Sequence, residues 1–155
     1  LFIVSAIHEQ HPWSGNIGFP GGRLEQGRET PRQAAEREAT EELALDLGSA
    51  DYLGRLNDLY GTTLPVLVSC FVYRLREEPI LRQNREVAKT FWCQLSTLLE
   101  PQRQKRSTFT YRGVRGTHPV VELLSPGEPV LWGITYRFIN SFFTLCGQEF
   151  GSQGS

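Results

Sequence analysis

The segment from Thr30 to Leu45 constrains the fold more than any other part of the chain, because it carries signals for both ends of a helix. Thr30 can cap the helix, Pro31 suits its first position, and Gln33 completes a capping box. We therefore predict a helix from Pro31 to about Leu45. Gly48 is its expected stop signal, since glycine accepts the left-handed conformation that ends many helices.

Three glutamates of this helix, Glu38, Glu41 and Glu42, stand at i, i+3 and i+4, which places their carboxylates within one arc. Like charges at these spacings destabilise a helix by roughly 0.2–0.5 kcal/mol per pair unless a positive charge faces them. Oxygen-only ligands favour Mg²⁺ or Mn²⁺, cations that also bind substrate phosphates. The pattern predicts a Mg²⁺ or Mn²⁺ site. A solvated acidic helix face is the alternative, and the three acids alone favour it.

The residues that flank these glutamates favour the metal site over the solvated helix face. Residues 17–22 read Ile-Gly-Phe-Pro-Gly-Gly, Glu29 follows, and residues 37–45 read Arg-Glu-Ala-Thr-Glu-Glu-Leu-Ala-Leu. This pattern resembles the Nudix box, in which a glycine and an acid precede Arg-Glu-x-x-Glu-Glu and a small or apolar pair. Glu29 lies one residue farther from Gly22 than the general pattern places it, as in coenzyme A pyrophosphatase relatives. Ala44 stands where the family has a late glycine.

The resemblance implies an α/β fold, a Nudix-type α/β/α sandwich with a mixed β-sheet and a loop-helix-loop catalytic motif. It implies a metal-dependent hydrolase that cleaves the diphosphate bond of a nucleoside diphosphate linked to another moiety. By analogy, Glu38 and Glu42 ligate the metal, Glu41 ligates it or orients water, and Arg37 is structural. Gly22 permits close backbone packing at the substrate.

The general base is not fixed by the box, and a carboxylate must take the proton of the attacking water. We name Glu41 first and Glu86 second, because Glu86 precedes a predicted strand at a position where related hydrolases often carry an acid. An exposed turn residue that pairs with Arg85 or Lys89 is an equal alternative for Glu86. Arg37, one turn before Glu41, is expected to orient a carboxylate through an ion pair.

Substrate recognition is less well specified by the sequence. Arg23, directly after the glycines, is predicted to contact a phosphate, with a salt bridge to Glu25 as the alternative. Trp13, Tyr60 and Tyr111 are available to stack on a base, but loop or core packing explains each of them better, so none is assigned.

Within the family, the loop before Gly22, the one-residue insertion and the run Val-Leu-Trp-Gly-Ile-Thr over 130–135 look most like the coenzyme A pyrophosphatase branch. That branch usually carries an Arg-Ser pair, and an Arg and a His before the glycines, where this chain has Ala6-Ile7, His11 and Trp13. A broader nucleoside diphosphate substrate therefore stays open. A catalytically silent Nudix-like module that binds a nucleotide or a protein is the alternative, although such modules commonly lose the box acids kept here.

The remaining pattern predicts a single domain over 1–150 and a disordered polar tail over 151–155. Further elements are expected as strands over 1–7, 65–75 and 87–95, a helical turn over 96–100, a hairpin from 107–112 and 119–124, and a helix over 132–145. The apolar run over 65–75 is placed centrally in the sheet. The C-terminal helix could cover its own sheet or meet a partner chain, so the oligomeric state is open.

Composition and net charge limit the classes of partner that the chain is expected to bind. A net charge of -1 gives no reason to expect a nucleic acid polymer or an anionic membrane. No apolar run reaches the roughly 20 residues of a membrane span, and we expect a soluble, intracellular protein. The three cysteines match no zinc or disulfide spacing and are expected as buried free thiols, and His8, His11 and His118 are too scattered for a zinc site. The chain begins at Leu1 without an initiator methionine, so an N-terminal segment is expected to be missing.

Overall fold

A computed structural model describes residues 1–7, 15–61, 65–111 and 113–151. The predictions for His8, His11, Trp13 and the tail over 152–155 lie outside these ranges. In chain order the elements are β1 (Phe2–Ser5), β2 (Ile17–Gly18), α1 (Pro31–Leu43), β3 (Asp51–Arg55), β4 (Leu59–Tyr60), β5 (Leu67–Val68), β6 (Phe71–Arg74), β7 (Val87–Phe91), α2 (Leu95–Leu98), β8 (Gln104–Tyr111), β9 (Val114–Val121) and α3 (Gly133–Leu145).

The central sheet has the order β2-β1-β7 and separates two layers. Successive side chains of a strand point to opposite faces, and β1 follows this rule. Ile3 packs with Leu43 of α1, whereas Phe2 and Val4 pack on the other face with Phe143 of α3. The predicted α/β/α sandwich is therefore present, with α1 and α3 on opposite faces of the sheet.

Every pairing between the described strands is antiparallel, so the parallel component of the expected mixed sheet is not found among them. Besides the central sheet, β3 pairs with β6, β4 with β5, and β8 with β9. The hairpin is longer than predicted. Tyr111 lies opposite Val114 at its tip, and Gly113 has a φ of 79°, which suits a tight turn.

The prediction of one central strand over 65–75 is wrong. The run is divided into β5 and β6, which pair with β4 and β3 respectively, and the Leu67 side chain is 54% exposed. Leu56, between β3 and β4, donates its N–H to the Cys70 carbonyl at 2.9 Å where the partner changes. A short apolar run cannot show whether one strand or two will pair with it.

Helix α1 begins as predicted. Thr30 Oγ1 accepts the Gln33 N–H at 3.3 Å, and Gln33 Oε1 accepts the Thr30 N–H at 2.8 Å. The helix ends at Leu43 and not at Gly48, because Ala44 takes the left-handed conformation with φ 53°. Gly48 instead donates to Asp46 Oδ1 in a short 3-10 turn.

Helix α3 matches the predicted C-terminal helix. Its buried side chains Thr135, Phe138, Ile139 and Phe143 turn inward, and the last two pack in the core beneath the central sheet. The apolar side of α3 therefore covers its own sheet. No described helix has the length and apolarity to cross a membrane.

The cysteines are unpaired as predicted, but none is fully buried. Cys70 and Cys93 are half-buried, and Cys146 is exposed. Burial raises the pKa of the Cys70 thiol to about 11, which keeps it protonated and unreactive at neutral pH.

Candidate active site

The loop at Gly21 and Gly22 packs directly on the carboxylates of α1. Gly21 donates its backbone N–H to Glu42 Oε2 at 2.9 Å. A Cβ atom on Gly22 would collide with the carboxylate of Glu38, so a larger residue here would force that carboxylate to move. Glu38 and Glu42, one turn apart on α1, thus meet the same glycine loop.

Glu42 is the most unusual carboxylate of the described chain. It is 7% exposed, and among the described residues its carboxylate accepts one hydrogen bond, from the Gly21 N–H. Burial raises the pKa of Glu42 to about 7, and the negative charges of Glu38, Glu86 and Glu41 act in the same direction. A buried carboxylate among like charges is a strong candidate for a functional group, because the fold itself does not neutralise it.

Glu86 reaches this cluster from outside the helix. The turn before β7 is bonded to the end of α1, because Asn84 donates its N–H to the Glu42 carbonyl at 2.8 Å. Glu86 donates its own N–H to Asn84 Oδ1, also at 2.8 Å. The pairing with Lys89 that would explain Glu86 as a turn residue is not formed, since Lys89 Nζ lies 2.8 Å from Glu128 Oε1.

Arg37 neutralises the outer side of the cluster. Its guanidinium donates to both oxygens of Glu29, at 3.0 and 2.9 Å, and to Glu38 Oε1 at 3.0 Å and Glu41 Oε2 at 3.2 Å. These bonds raise the pKa of Arg37 and, with a backbone N–H from Glu25, lower the pKa of Glu29. The arrangement agrees with an orienting role for Arg37. The Glu41 side chain remains 56% exposed.

Arg23 lies at the rim of the same loop. Its carbonyl oxygen accepts from Arg37 Nη2 at 3.2 Å, while its side chain is exposed and has no ion-pair partner within the described ranges. The alternative salt bridge to Glu25 is not formed, because Glu25 Oε2 lies 3.5 Å from Arg28 Nη1. The exposed Arg23 guanidinium is therefore available to an anion.

The carboxylate oxygens of this site are the ligands that a hard divalent cation prefers, but they are not yet arranged around a single point. Across residues 1–7, 15–61, 65–111 and 113–151, no three His, Cys, Asp or Glu side chains are already arranged around one point. Glu38 and Glu42 bring oxygen ligands to the glycine loop, and a cation would relieve the repulsion that acts on buried Glu42. Glu38 is held by Arg37, so it would have to exchange this contact for the ion.

A ring cluster between the β8–β9 hairpin and the start of α3 was not predicted from the sequence. It consists of Phe109, Tyr111, His118 and Trp132. The ring centroid of Trp132 lies 4.5 Å from that of Phe109, 5.1 Å from that of Tyr111 and 5.3 Å from that of His118. Hairpin alternation is the signal that could have found it, since 109, 111 and 118 share one face of the paired strands. Tyr60 is 71% exposed and takes no part in it.

With this fold and this site in place, the comparison with known proteins is direct. The family model of the NUDIX domain matches residues 2–112. The chain belongs to the Nudix family, as its box predicted.

Three relatives have similar levels of identity. An uncharacterized protein of Schizosaccharomyces pombe is 32% identical over 77% of this chain and 39% of its own length. The mitochondrial coenzyme A diphosphatase NUDT8 of Homo sapiens is 31% identical over 78% of this chain and 51% of its own. The 8-oxo-dGTP diphosphatase of Haemophilus influenzae is 32% identical over 63% of this chain and 68% of its own length. The chain thus spans about half or less of the first two relatives.

Proposed function

We propose that this chain is a metal-dependent pyrophosphohydrolase that cleaves the diphosphate bond of a nucleoside diphosphate linked to another moiety. The observation that carries the proposal is the position of buried Glu42, which meets the glycine loop and lies within the field of Glu38, Glu41 and Glu86. The names of the human and the Haemophilus relatives, both diphosphatases, support the same reaction class.

In this proposal Glu38, Glu42 and Glu41 hold Mg²⁺ or Mn²⁺. When bound, such an ion would screen the diphosphate oxygens and lower the pKa of the attacking water. Glu41, which is exposed, or Glu86, which approaches from the β7 turn, takes the proton from that water.

Two arginines have separate tasks. Arg37 orients Glu38 and Glu41 through its two Nη1 contacts, and ties them to the loop that carries Glu29. Arg23, exposed beside Gly22, contacts a phosphate oxygen of the substrate.

For the leaving group we propose coenzyme A or a related nucleotide derivative. The Phe-Pro-Gly-Gly loop, the insertion before Glu29 and the similarity to the human coenzyme A diphosphatase support this choice. The similarity to an 8-oxo-dGTP diphosphatase favours a nucleoside triphosphate as the second candidate.

A substrate panel tests the proposal. The protein is incubated with Mg²⁺ or Mn²⁺ and, separately, with coenzyme A, ADP-ribose, a dinucleotide, a nucleotide sugar and 8-oxo-dGTP, and products are separated by chromatography. We expect cleavage at a diphosphate bond, abolished by a chelator and by Glu42→Gln. Glu36→Gln, on another side of α1, is the matched control.

The outcomes separate the candidates. Cleavage of coenzyme A in preference to ADP-ribose supports the proposed leaving group, and preference for 8-oxo-dGTP supports the second candidate. No product from any compound, with either ion, would contradict hydrolysis and favour the silent binding module. Full turnover by Glu86→Gln would assign the base to Glu41.

A further inference from the structure

The ring cluster of Phe109, Tyr111, His118 and Trp132 is tied to the catalytic end of the sheet. Trp132 donates its indole N–H to Asn16 Oδ1 at 3.1 Å, across a long separation in sequence. Asn16 in turn accepts the Ser5 N–H at 3.1 Å through its carbonyl oxygen. The cluster is therefore anchored to the last residue of β1.

Glu86 lies at the same end of β1, on the other side. Its carbonyl oxygen accepts the N–H of Ala6, the residue after Ser5, at 2.8 Å. Neighbouring strands are about 4.8 Å apart, so the backbones of Asn16 and Glu86 are separated by about two strand spacings, on the order of 10 Å. The segment that anchors the ring cluster and the turn that carries Glu86 thus lie at the same end of the sheet, on the two sides of β1.

The rings of the cluster keep part of their surface exposed. All four residues are only partly buried, whereas Phe2, Phe138 and Phe143 are at 3% exposure each. The opposite face of the hairpin is polar, with Thr108 and Thr117 joined by a hydroxyl hydrogen bond of 2.7 Å. One face of this hairpin therefore presents flat apolar rings, and the other does not.

We propose that this ring cluster is the subsite for the planar base of the substrate, with Phe109 as its main stacking residue. The inference rests on the proposed function for the identity of the substrate class. A base stacks on aromatic rings with limited dependence on its ring substituents, so the subsite selects a nucleoside diphosphate over a base-free diphosphate.

Equilibrium binding tests this without requiring turnover. Calorimetry with Mg²⁺ compares ADP with inorganic pyrophosphate, which has no base, for the wild type and Phe109→Leu. Leucine keeps an apolar side chain but removes the flat face. We expect Kd for ADP to rise roughly tenfold, as the loss of one stacking contact predicts, and Kd for pyrophosphate to stay unchanged. Phe109→Tyr should restore the wild-type value.

Phe142→Leu is the matched control. Phe142 is also half-buried, contacts Phe143 at 5.7 Å, and lies roughly 15 Å along α3 from Trp132 at 1.5 Å per residue. Its substitution should leave both dissociation constants within twofold. If Phe109→Leu fails to fold by circular dichroism, Tyr111→Leu at the hairpin tip provides the same comparison.

The result distinguishes this inference from the proposed function. Unchanged ADP binding in a folded Phe109→Leu protein, or equal weakening of ADP and pyrophosphate, overturns the base subsite even if the enzyme hydrolyses its substrate. Selective loss of ADP binding in a protein that cleaves nothing supports the subsite and rejects the hydrolase. With an active enzyme, the same variant should raise KM about tenfold for a nucleotide substrate and leave kcat within twofold.

Discussion

Glu36 and Glu42 stand on the same helix and have opposite environments. Glu36 accepts from the Tyr73 hydroxyl at 2.6 Å and from Arg32 Nε at 2.9 Å, and these contacts lower its pKa. The carboxylate of Glu42 accepts the backbone N–H of Gly21, and burial with three neighbouring carboxylates raises its pKa to about 7. Glu36 is paired with a cation and a hydroxyl, whereas Glu42 has no ion-pair partner among the described residues. Residue type and helix position alone therefore do not show which acid the fold itself neutralises.

The largest expected effect is on turnover. Glu42→Gln should lower kcat/KM at least about a hundredfold, because a lost metal ligand removes several kcal/mol of transition-state stabilisation. Glu36→Gln should stay within about threefold, since the Glu36 carboxylate bonds to Arg32 and Tyr73, away from the glycine loop. Initial rates with Mg²⁺, on the best substrate of the panel, measure both. Equal losses in the two variants would remove the distinction between the two glutamates.

The next effect is on the pH dependence of stability in a chelator. The folded pKa of Glu42 is about 7, above its ordinary value of 4.5, so between these pH values the folded state binds more protons than the unfolded chain. The protonation of Glu42 in the folded state therefore adds to the free energy of unfolding below pH 4.5, and this stabilisation is lost as the pH rises through 7. Glu42→Gln removes this loss, and at pH 8 should be more stable than wild type by up to about 3 kcal/mol.

Urea unfolding at pH 4.5 and pH 8 measures that difference. The stability gain of Glu42→Gln should nearly vanish at the lower pH, where wild-type Glu42 is itself protonated. Glu36→Gln should show no gain at pH 8, because it removes a carboxylate that Tyr73 and Arg32 stabilise. A gain for Glu42→Gln that is the same at both pH values would show that its charge is not the cause.

A divalent cation should narrow the difference in stability between Glu42→Gln and the wild type at pH 8. Mg²⁺ or Mn²⁺ at ten times its dissociation constant should stabilise the wild type by about 1.4 kcal/mol, because only the folded state assembles the site. Glu42→Gln should gain less than half of that value, and Glu36→Gln should gain all of it. Thermal unfolding with increasing Mn²⁺ gives the measurement. An equal gain in all three proteins would place the ion elsewhere on the surface.

Local signals made much of the site predictable. Thr30, Pro31 and Gln33 determine the start of α1, and the spacing of Glu38 and Glu42 places both carboxylates on the side that meets the glycine loop. These features depend on contacts within a few residues or on the helical repeat. The residues of the box are therefore enough to predict which carboxylates meet the glycine loop.

Long-range pairing accounts for what the sequence could not show. Strand alternation places Phe109 and Tyr111 on one face, but His118 and Trp132 join them only through the hairpin register and the contact between Trp132 and Asn16, which no local pattern shows. The run over 65–75 was misplaced because strand partners, not apolar content, divide it into β5 and β6. The approach of Glu86 to Glu42 was expected only from the family resemblance, since the hydrogen bond between Asn84 and Glu42 joins distant segments.

The smallest expected effect concerns the helix end next to Glu42. Ala44 has φ 53°, and this left-handed conformation is unfavourable for a residue with a Cβ by roughly 1–2 kcal/mol. Glycine removes this strain but adds conformational freedom to the unfolded chain, which offsets roughly 0.4–1 kcal/mol. Ala44→Gly should therefore stabilise the protein by about 0.5–1 kcal/mol, measured by urea unfolding, and leave turnover unchanged.

Ala50→Gly is the matched control. Ala50 has an extended backbone with φ -86°, so glycine relieves no strain there and should destabilise the protein by roughly 0.5–1 kcal/mol. Destabilisation by both substitutions would mean that the left-handed conformation of Ala44 costs the fold less than glycine adds in freedom to the unfolded chain.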